Sequence, residues 1–123
     1  MEVEFYKCQK CGNVIEVLNG DVSHITCCGE GMTKLEANSV DAATEKHVPV
    51  YKVMDEKMEV SVGEVMHPMD DNHYIMWILL VSGDHFYRIN FKPGETPVAA
   101  MPYAKGTLYA YCNLHGLWKT EVK

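Results

Sequence analysis

The chain has 123 residues, 47% of them hydrophobic and 23% charged, the balance of a folded, soluble protein with one ordinary domain or two very small ones. A net charge of −6 argues against nucleic acid and anionic membranes as general partners. The start, M-E-V-E-F-Y-K-C, lacks a basic-then-apolar signal pattern, and the longest apolar run, Tyr74 to Val81, is far below the ~20 residues of a membrane helix, so a cytoplasmic location is expected.

Residues 1–36 carry four of the five cysteines and short β-like pieces at Val3–Tyr6, Val14–Leu18 and, more weakly, Val22–Thr26. A unit of fewer than ~40 residues seldom buries enough surface to fold alone, so a metal or disulfide staple is expected. An odd cysteine count without a secretion signal favours thiolate ligands over a disulfide framework. Cys27 and Cys28 are neighbours, with Cα atoms ~3.8 Å apart, whereas ordinary disulfides prefer ~5.5–6 Å. K-C-Q-K-C-G supplies a C-x-x-C pair and a glycine for the turn, and I-T-C-C-G supplies two more thiols. Cys8, Cys11, Cys27 and Cys28 therefore read as one closed tetrahedral site for zinc or a single iron. The adjacent second pair has an unusual bite, from which a distorted tetrahedron is expected.

The small, polar stretch A-N-S-V-D-A-A-T lies in a linker assigned to residues 37–45. Beyond it, residues 46–123 alternate short β runs with turn chemistry. Strands are predicted at Val48–Asp55, Lys57–Val62, Tyr74–Ser82, His85–Phe91, Val98–Tyr103, Thr107–Tyr111 and Leu117–Val122. No segment sustains a 3.6-residue period with caps, so little helix is expected. The pattern predicts an all-β chain, with the small metal-stapled domain followed by an immunoglobulin-like antiparallel sandwich or barrel.

Four of the six histidines sit in turns or at strand edges, in E-K-H-V-P, M-H-P-M, D-N-H-Y and C-N-L-H-G. Pro49 and Pro68 restrict the backbone beside His47 and His67. His73 begins the most hydrophobic strand, and Cys112 ends a strand three residues before His115. Singly, a histidine is more often a surface or hydrogen-bonded residue than a ligand; spacing alone leaves a second metal site and an incidental arrangement evenly balanced. His24 and His85 read as ordinary structural residues, and Trp77, Trp118 and most of the eight methionines as core filling.

On these motifs the chain resembles the desulfoferrodoxins, the two-iron superoxide reductases, along essentially its whole length. C-x-x-C…C-C-G-E is similar to the family's small desulforedoxin-like iron domain, and the four histidine segments match those that build its catalytic iron site. Gly31 departs from the residue often found there, without removing a ligand. The resemblance implies that Cys8, Cys11, Cys27 and Cys28 hold one non-haem iron. His47, His67, His73 and His115 would be equatorial ligands of the second, with Cys112 as its axial thiolate. It implies that Glu45 and Lys46 form a catalytic pair beside an open coordination position. Lys46 is expected to attract superoxide and help deliver protons, and Glu45 to close the site after the metal is oxidised. The implied reaction is one-electron reduction of superoxide to hydrogen peroxide without oxygen evolution, by a homodimer fed by rubredoxin or a similar donor. Two readings compete with it: an electron carrier using the four-cysteine centre alone, and a zinc-stapled binding module.

Overall fold

The computed structural model describes residues 3–38, 47–63 and 67–123. Glu45, Lys46 and most of the predicted linker lie outside these residues. The chain divides into two compact units, Met1–Glu36 and Ala37–Lys123. Among the described residues no helix is long and apolar enough to cross a membrane.

In the first unit, β1 (Glu4–Lys7) is the middle strand of a three-stranded antiparallel sheet, between β2 (Val14–Val17) and β5 (Thr33–Lys34). Two very short strands, β3 (Thr26–Cys27) and β4 (Glu30–Gly31), form a separate hairpin. The predicted weak strand at Val22–Thr26 is not formed: Val22–His24 is a single 3-10 turn. The cause is local, because the Asp21 carboxylate accepts the Ser23 N–H at 2.8 Å and offers that backbone an alternative to a ladder. Among the described residues of this unit, Phe5, Tyr6 and Cys8 are the buried ones. So small a core cannot offset the entropy of ordering the unit, which leaves it dependent on what its cysteines bind.

The second unit contains β6 (Pro49–Met54), β7 (Lys57–Val62), β8 (Ile75–Ser82), β9 (His85–Asn90), β10 (Val98–Pro102), β11 (Gly106–Cys112) and β12 (Gly116–Val122). They form two antiparallel sheets, ordered β10-β7-β6 and β12-β11-β8-β9. The observed ends lie within one residue of the predicted ones. Alternation explains β7, where Met58, Val60 and Val62 are buried between exposed or half-buried neighbours. With Ile78, Leu80, Ala99, Met101, Leu108, Ala110 and Val122 they form the core, each large buried aliphatic contributing about 1.5–3 kcal/mol. β8 is apolar without alternation because Trp77 and Leu79, on its other face, are buried too.

Two local features shape the strands around Cys112. The register between β11 and β8 runs Tyr111 to Trp77 and then Cys112 to Ile75, so Met76 is an extra residue in a bulge. The bulge resets the alternation of β8, so that Ile75 faces the core beside Cys112, which the period-two run Leu108, Ala110, Cys112 of β11 already places there; both are fully buried. At the other end of β11, a Cβ on Gly106 would clash with the Val81 carbonyl oxygen, which reserves the position for glycine.

Candidate metal centres

The four cysteines of the first unit converge as predicted, with all four sulfurs within 4.8 Å of one another. Cys8 follows β1, and its knuckle closes by backbone bonds from Cys8 N–H to Asn13 and from Gly12 N–H to Cys8, both 2.9 Å. The Cys11 N–H donates to the Cys8 sulfur at 3.5 Å. Cys27 ends β3, and Cys28 turns back with φ 53° ahead of Gly29 at φ 77°. A left-handed non-glycine residue costs roughly 1–2 kcal/mol, so the surrounding contacts must hold it there.

The spacing fits a bound ion. A tetrahedron with metal–sulfur bonds of about 2.3 Å has sulfur–sulfur edges of about 3.8 Å. The Cys11–Cys27 and Cys27–Cys28 sulfur separations are 3.6 and 3.9 Å. The adjacent pair therefore reaches near-tetrahedral spacing, and its unusual bite is absorbed by the Cys28 backbone rather than by these two edges. Protonation energetics agree with a cation's being needed. The Cys11 N–H lowers the Cys8 thiol to about 6, whereas hydrogen bonds with the Cys11 and then the Cys8 sulfur push Cys28 up to about 12. The same contacts raise Cys27. The Cys8 thiolate is favoured and those of Cys27 and Cys28 disfavoured, a balance that a cation between the sulfurs would reverse. Gly31 pairs with Thr26 and has open space at its Cβ, so a side chain at this position would meet no clash there.

In the second unit, His47, His67, His73, Cys112 and His115 form one cluster, their candidate ligand atoms all within 4.8 Å of one another. Ring centroids are 4.6 Å apart for His47–His67, 5.0 Å for His67–His73, 5.0 Å for His73–His115 and 4.8 Å for His115–His47. The four imidazoles thus form a closed circuit in the order 47, 67, 73, 115. The Cys112 sulfur lies 3.7 Å from Nδ1 of His115. Cys112, His47 and His67 are buried, His73 is half-buried and His115 is exposed, so burial falls off toward the His73–His115 side. His24 and His85 are outside it, in keeping with their structural reading; His85 is exposed beside Asp84.

Each ligand position has a local cause. His67 Nδ1–H donates to the Pro68 carbonyl at 2.7 Å, which fixes the tautomer and leaves Nε2 as the lone-pair nitrogen. His115 lies in the three-residue loop between β11 and β12, closed by Gly116 at φ 86°. Asn113 clamps that loop to the His73 segment: its Oδ1 accepts the Tyr74 N–H at 2.9 Å and its Nδ2 donates to the Asn72 carbonyl at 3.0 Å. Asn113 was not singled out from the sequence, although its place inside C-N-L-H-G is the signal that would have found it. Trp118, read as core filling, packs directly on His47. The surface hollow lined by Glu56, Lys57, Ala100, Met101 and Pro102 contains none of these groups.

The donor set fits a transition metal better than any metal-free arrangement. A buried thiolate is costly without a cation, and four imidazoles converge on the same point as Cys112. Four nitrogens and one sulfur are more protein ligands than catalytic zinc usually takes, and they suit iron.

The comparisons agree over both units. Residues 39–121 match the Desulfoferrodoxin family and residues 1–35 the Desulfoferrodoxin N-terminal domain family. The chain is 47% identical over 122 residues to a desulfoferrodoxin of Syntrophotalea carbinolica, covering 98% of this chain and 97% of the relative. It is 40% identical to a superoxide reductase of Pyrococcus horikoshii, covering 75% of this chain and 98% of that one. The crystal structure of the superoxide reductase from Treponema pallidum superposes with a TM-score of 0.79 at 25% identity, covering 97% and 98% of the two chains. The one-iron superoxide reductase from Giardia intestinalis gives 0.59 at 34% identity, covering 65% of this chain and 99% of that one. With both parts of its length matched and both ligand sets assembled, the chain belongs to the desulfoferrodoxin family.

Proposed function

We propose that the chain is a superoxide reductase, converting superoxide to hydrogen peroxide by one-electron reduction without evolving oxygen. The observation that carries this reading is the circuit of His47, His67, His73 and His115 joined by a fully buried Cys112. A ferrous ion in this centre supplies the electron that superoxide takes up with two protons to become hydrogen peroxide. His47, His67, His73, His115 and Cys112 would hold that ion, and five protein ligands would leave it able to take a small anion as well. Cys112, as a thiolate, offsets only half the charge of a ferrous ion, so the centre stays attractive to an anion while gaining electron density from sulfur. The His67–Pro68 bond and the Asn113 clamp hold ligand orientations through the redox cycle.

Glu45 and Lys46 precede His47 directly in the sequence, and that adjacency together with the family's Glu-Lys pair supports their roles. Lys46 reverses locally the repulsion between an anionic substrate and a chain of net charge −6, and helps deliver protons. Glu45 closes the site after the electron has been given. Cys8, Cys11, Cys27 and Cys28 hold a second iron that four protein ligands close to substrate. Residues 1–36 form the four-cysteine domain, 37–45 the linker and 46–123 the catalytic domain. A homodimer, a rubredoxin-like donor and a cytoplasmic location complete the proposal, supported by the family resemblance.

The test is stoichiometry under a steady superoxide flux with a reductant present. A reductase consumes external electrons and yields peroxide alone, with two irons per chain. Oxygen evolution matching the peroxide would identify a dismutase, and one iron per chain would favour an electron carrier.

A further inference from the structure

We propose that Trp118 is a positioning residue for the His/Cys centre, setting the ring plane of His47 with its indole face and the His115 turn with its N–H. The inference rests on the reading that the five side chains hold a metal. The indole and the His47 ring are stacked, with centroids 4.7 Å apart and planes 15° from parallel. The contacts of His47 with His67 and His115 are edge-on, at 64° and 62°. Trp118 therefore supports the face of His47 while the other imidazoles meet it edgewise. The indole N–H donates to the carbonyl of His115 at 3.1 Å. One side chain thus touches two candidate ligands that come from distant parts of the chain.

Trp118 is itself well anchored. It is 7% exposed and lies opposite Ala110 in the β11–β12 ladder, where a small partner leaves room for an indole. The residues on either side of it are tied to one point: Asn38 N–H donates to the Leu117 carbonyl at 2.9 Å, and Lys119 N–H to the Asn38 carbonyl at 2.8 Å. A buried indole N–H requires an acceptor, and the one used here belongs to His115, the most exposed of the five candidate ligands. Stacking restricts how far His47 can rotate, and ring rotation is what would misdirect its nitrogen from a shared ion. The indole acts through the ligands, as outer-shell partners of metal sites do.

The test uses the full-length protein loaded with iron, as wild type, Trp118→Phe and Trp118→Leu. Iron release to a ferrous chelator is followed without oxygen, and the visible spectrum of each centre is recorded after oxidation. Trp118→Leu, which loses stack and donor, should release iron from the His/Cys centre about tenfold faster or more and shift that centre's thiolate band. The four-cysteine iron, an internal control in the same chain, should leave at the wild-type rate. Trp118→Phe keeps a ring over His47 but no N–H, and should fall between the two. Wild-type release and an unchanged spectrum in Trp118→Leu would overturn the proposal, as would equal loosening of both centres. Should Trp118→Leu fail to fold, Trp118→Phe decides, and behaviour identical to wild type refutes the role of the N–H. Wild-type protein that never takes up iron at the His/Cys set would instead refute the underlying reading.

Discussion

Residues 3–36 gather four sulfurs from loops and a two-residue strand around a core of Phe5, Tyr6 and Cys8, and leave Cys11 and Cys28 exposed. Residues 47–123 do the reverse, placing Cys112 beneath two sheets with a continuous apolar core and bringing histidines to it from turns. In the first unit little is buried among the described residues besides Phe5, Tyr6 and the ligand Cys8, so metal and fold are one equilibrium. In the second the fold stands on its own burial, and the scaffold holds four histidines and a cysteine together without depending on the histidines for its core.

The largest expected effect would break the first unit alone. Structural metal centres contribute on the order of 10–16 kcal/mol to folding, so Cys27→Ser should collapse the amide dispersion of β1, β2 and β5 in NMR spectra. The signals of β6 to β12 and the reaction with superoxide should persist. Retained dispersion in the first unit would mean that its fold does not depend on the tetrad.

Cys112→Ser tests the other side. Outer-shell partners typically cost 10–100-fold when lost, so removal of this inner ligand should lower the rate of superoxide consumption by more than about 100-fold. The absorption of the four-cysteine centre should be unaltered. Activity near wild type would remove Cys112 from the centre.

Asn113→Ala sharpens the contrast by weakening the scaffold of the second site without touching a ligand. It removes two hydrogen bonds and leaves the part-buried Tyr74 N–H without its acceptor, at a cost of about 1–3 kcal/mol in denaturant unfolding of the second unit. Asn113→Asp keeps the Oδ1 acceptor and should recover part of the loss; no difference between the two variants would deny the clamp.

The smallest effect belongs to the pair before His47. Lys46→Ala should slow the second-order reaction several-fold at low salt, the difference shrinking as the Debye length falls from about 10 Å at 0.1 M to 3 Å at 1 M. Glu45→Ala should leave that first encounter unchanged. A salt-independent loss in Lys46→Ala, or a large one in Glu45→Ala, would reassign the pair.

Much of the second unit was legible because its strands end at turn residues and its core follows period-two alternation, as in Lys57–Val62. The first unit was less legible: β4 and β5 are two residues each, too short for any period, and at Val22–His24 an Asp21 side chain outcompeted the ladder. The roles of Asn113 and Trp118 were hidden for a different reason. Asparagine in a turn and tryptophan in a strand have ordinary local explanations, and only their partners distinguish them.

The sequence by itself determined the ligand types, the division between a cysteine-rich and a β-rich part, and, through its motifs, the family. These depend on residue identity and short-range spacing, which survive without coordinates. Tertiary structure decided which atoms meet. A one-residue bulge at Met76 turns Ile75 to the core beside Cys112, and a left-handed Cys28 lets the neighbouring Cys27 and Cys28 sulfurs span a near-tetrahedral edge. The order of the four imidazoles was likewise set by packing between distant segments. Contacts of that kind depend on register and burial summed over whole sheets, and no local stretch of sequence contains them.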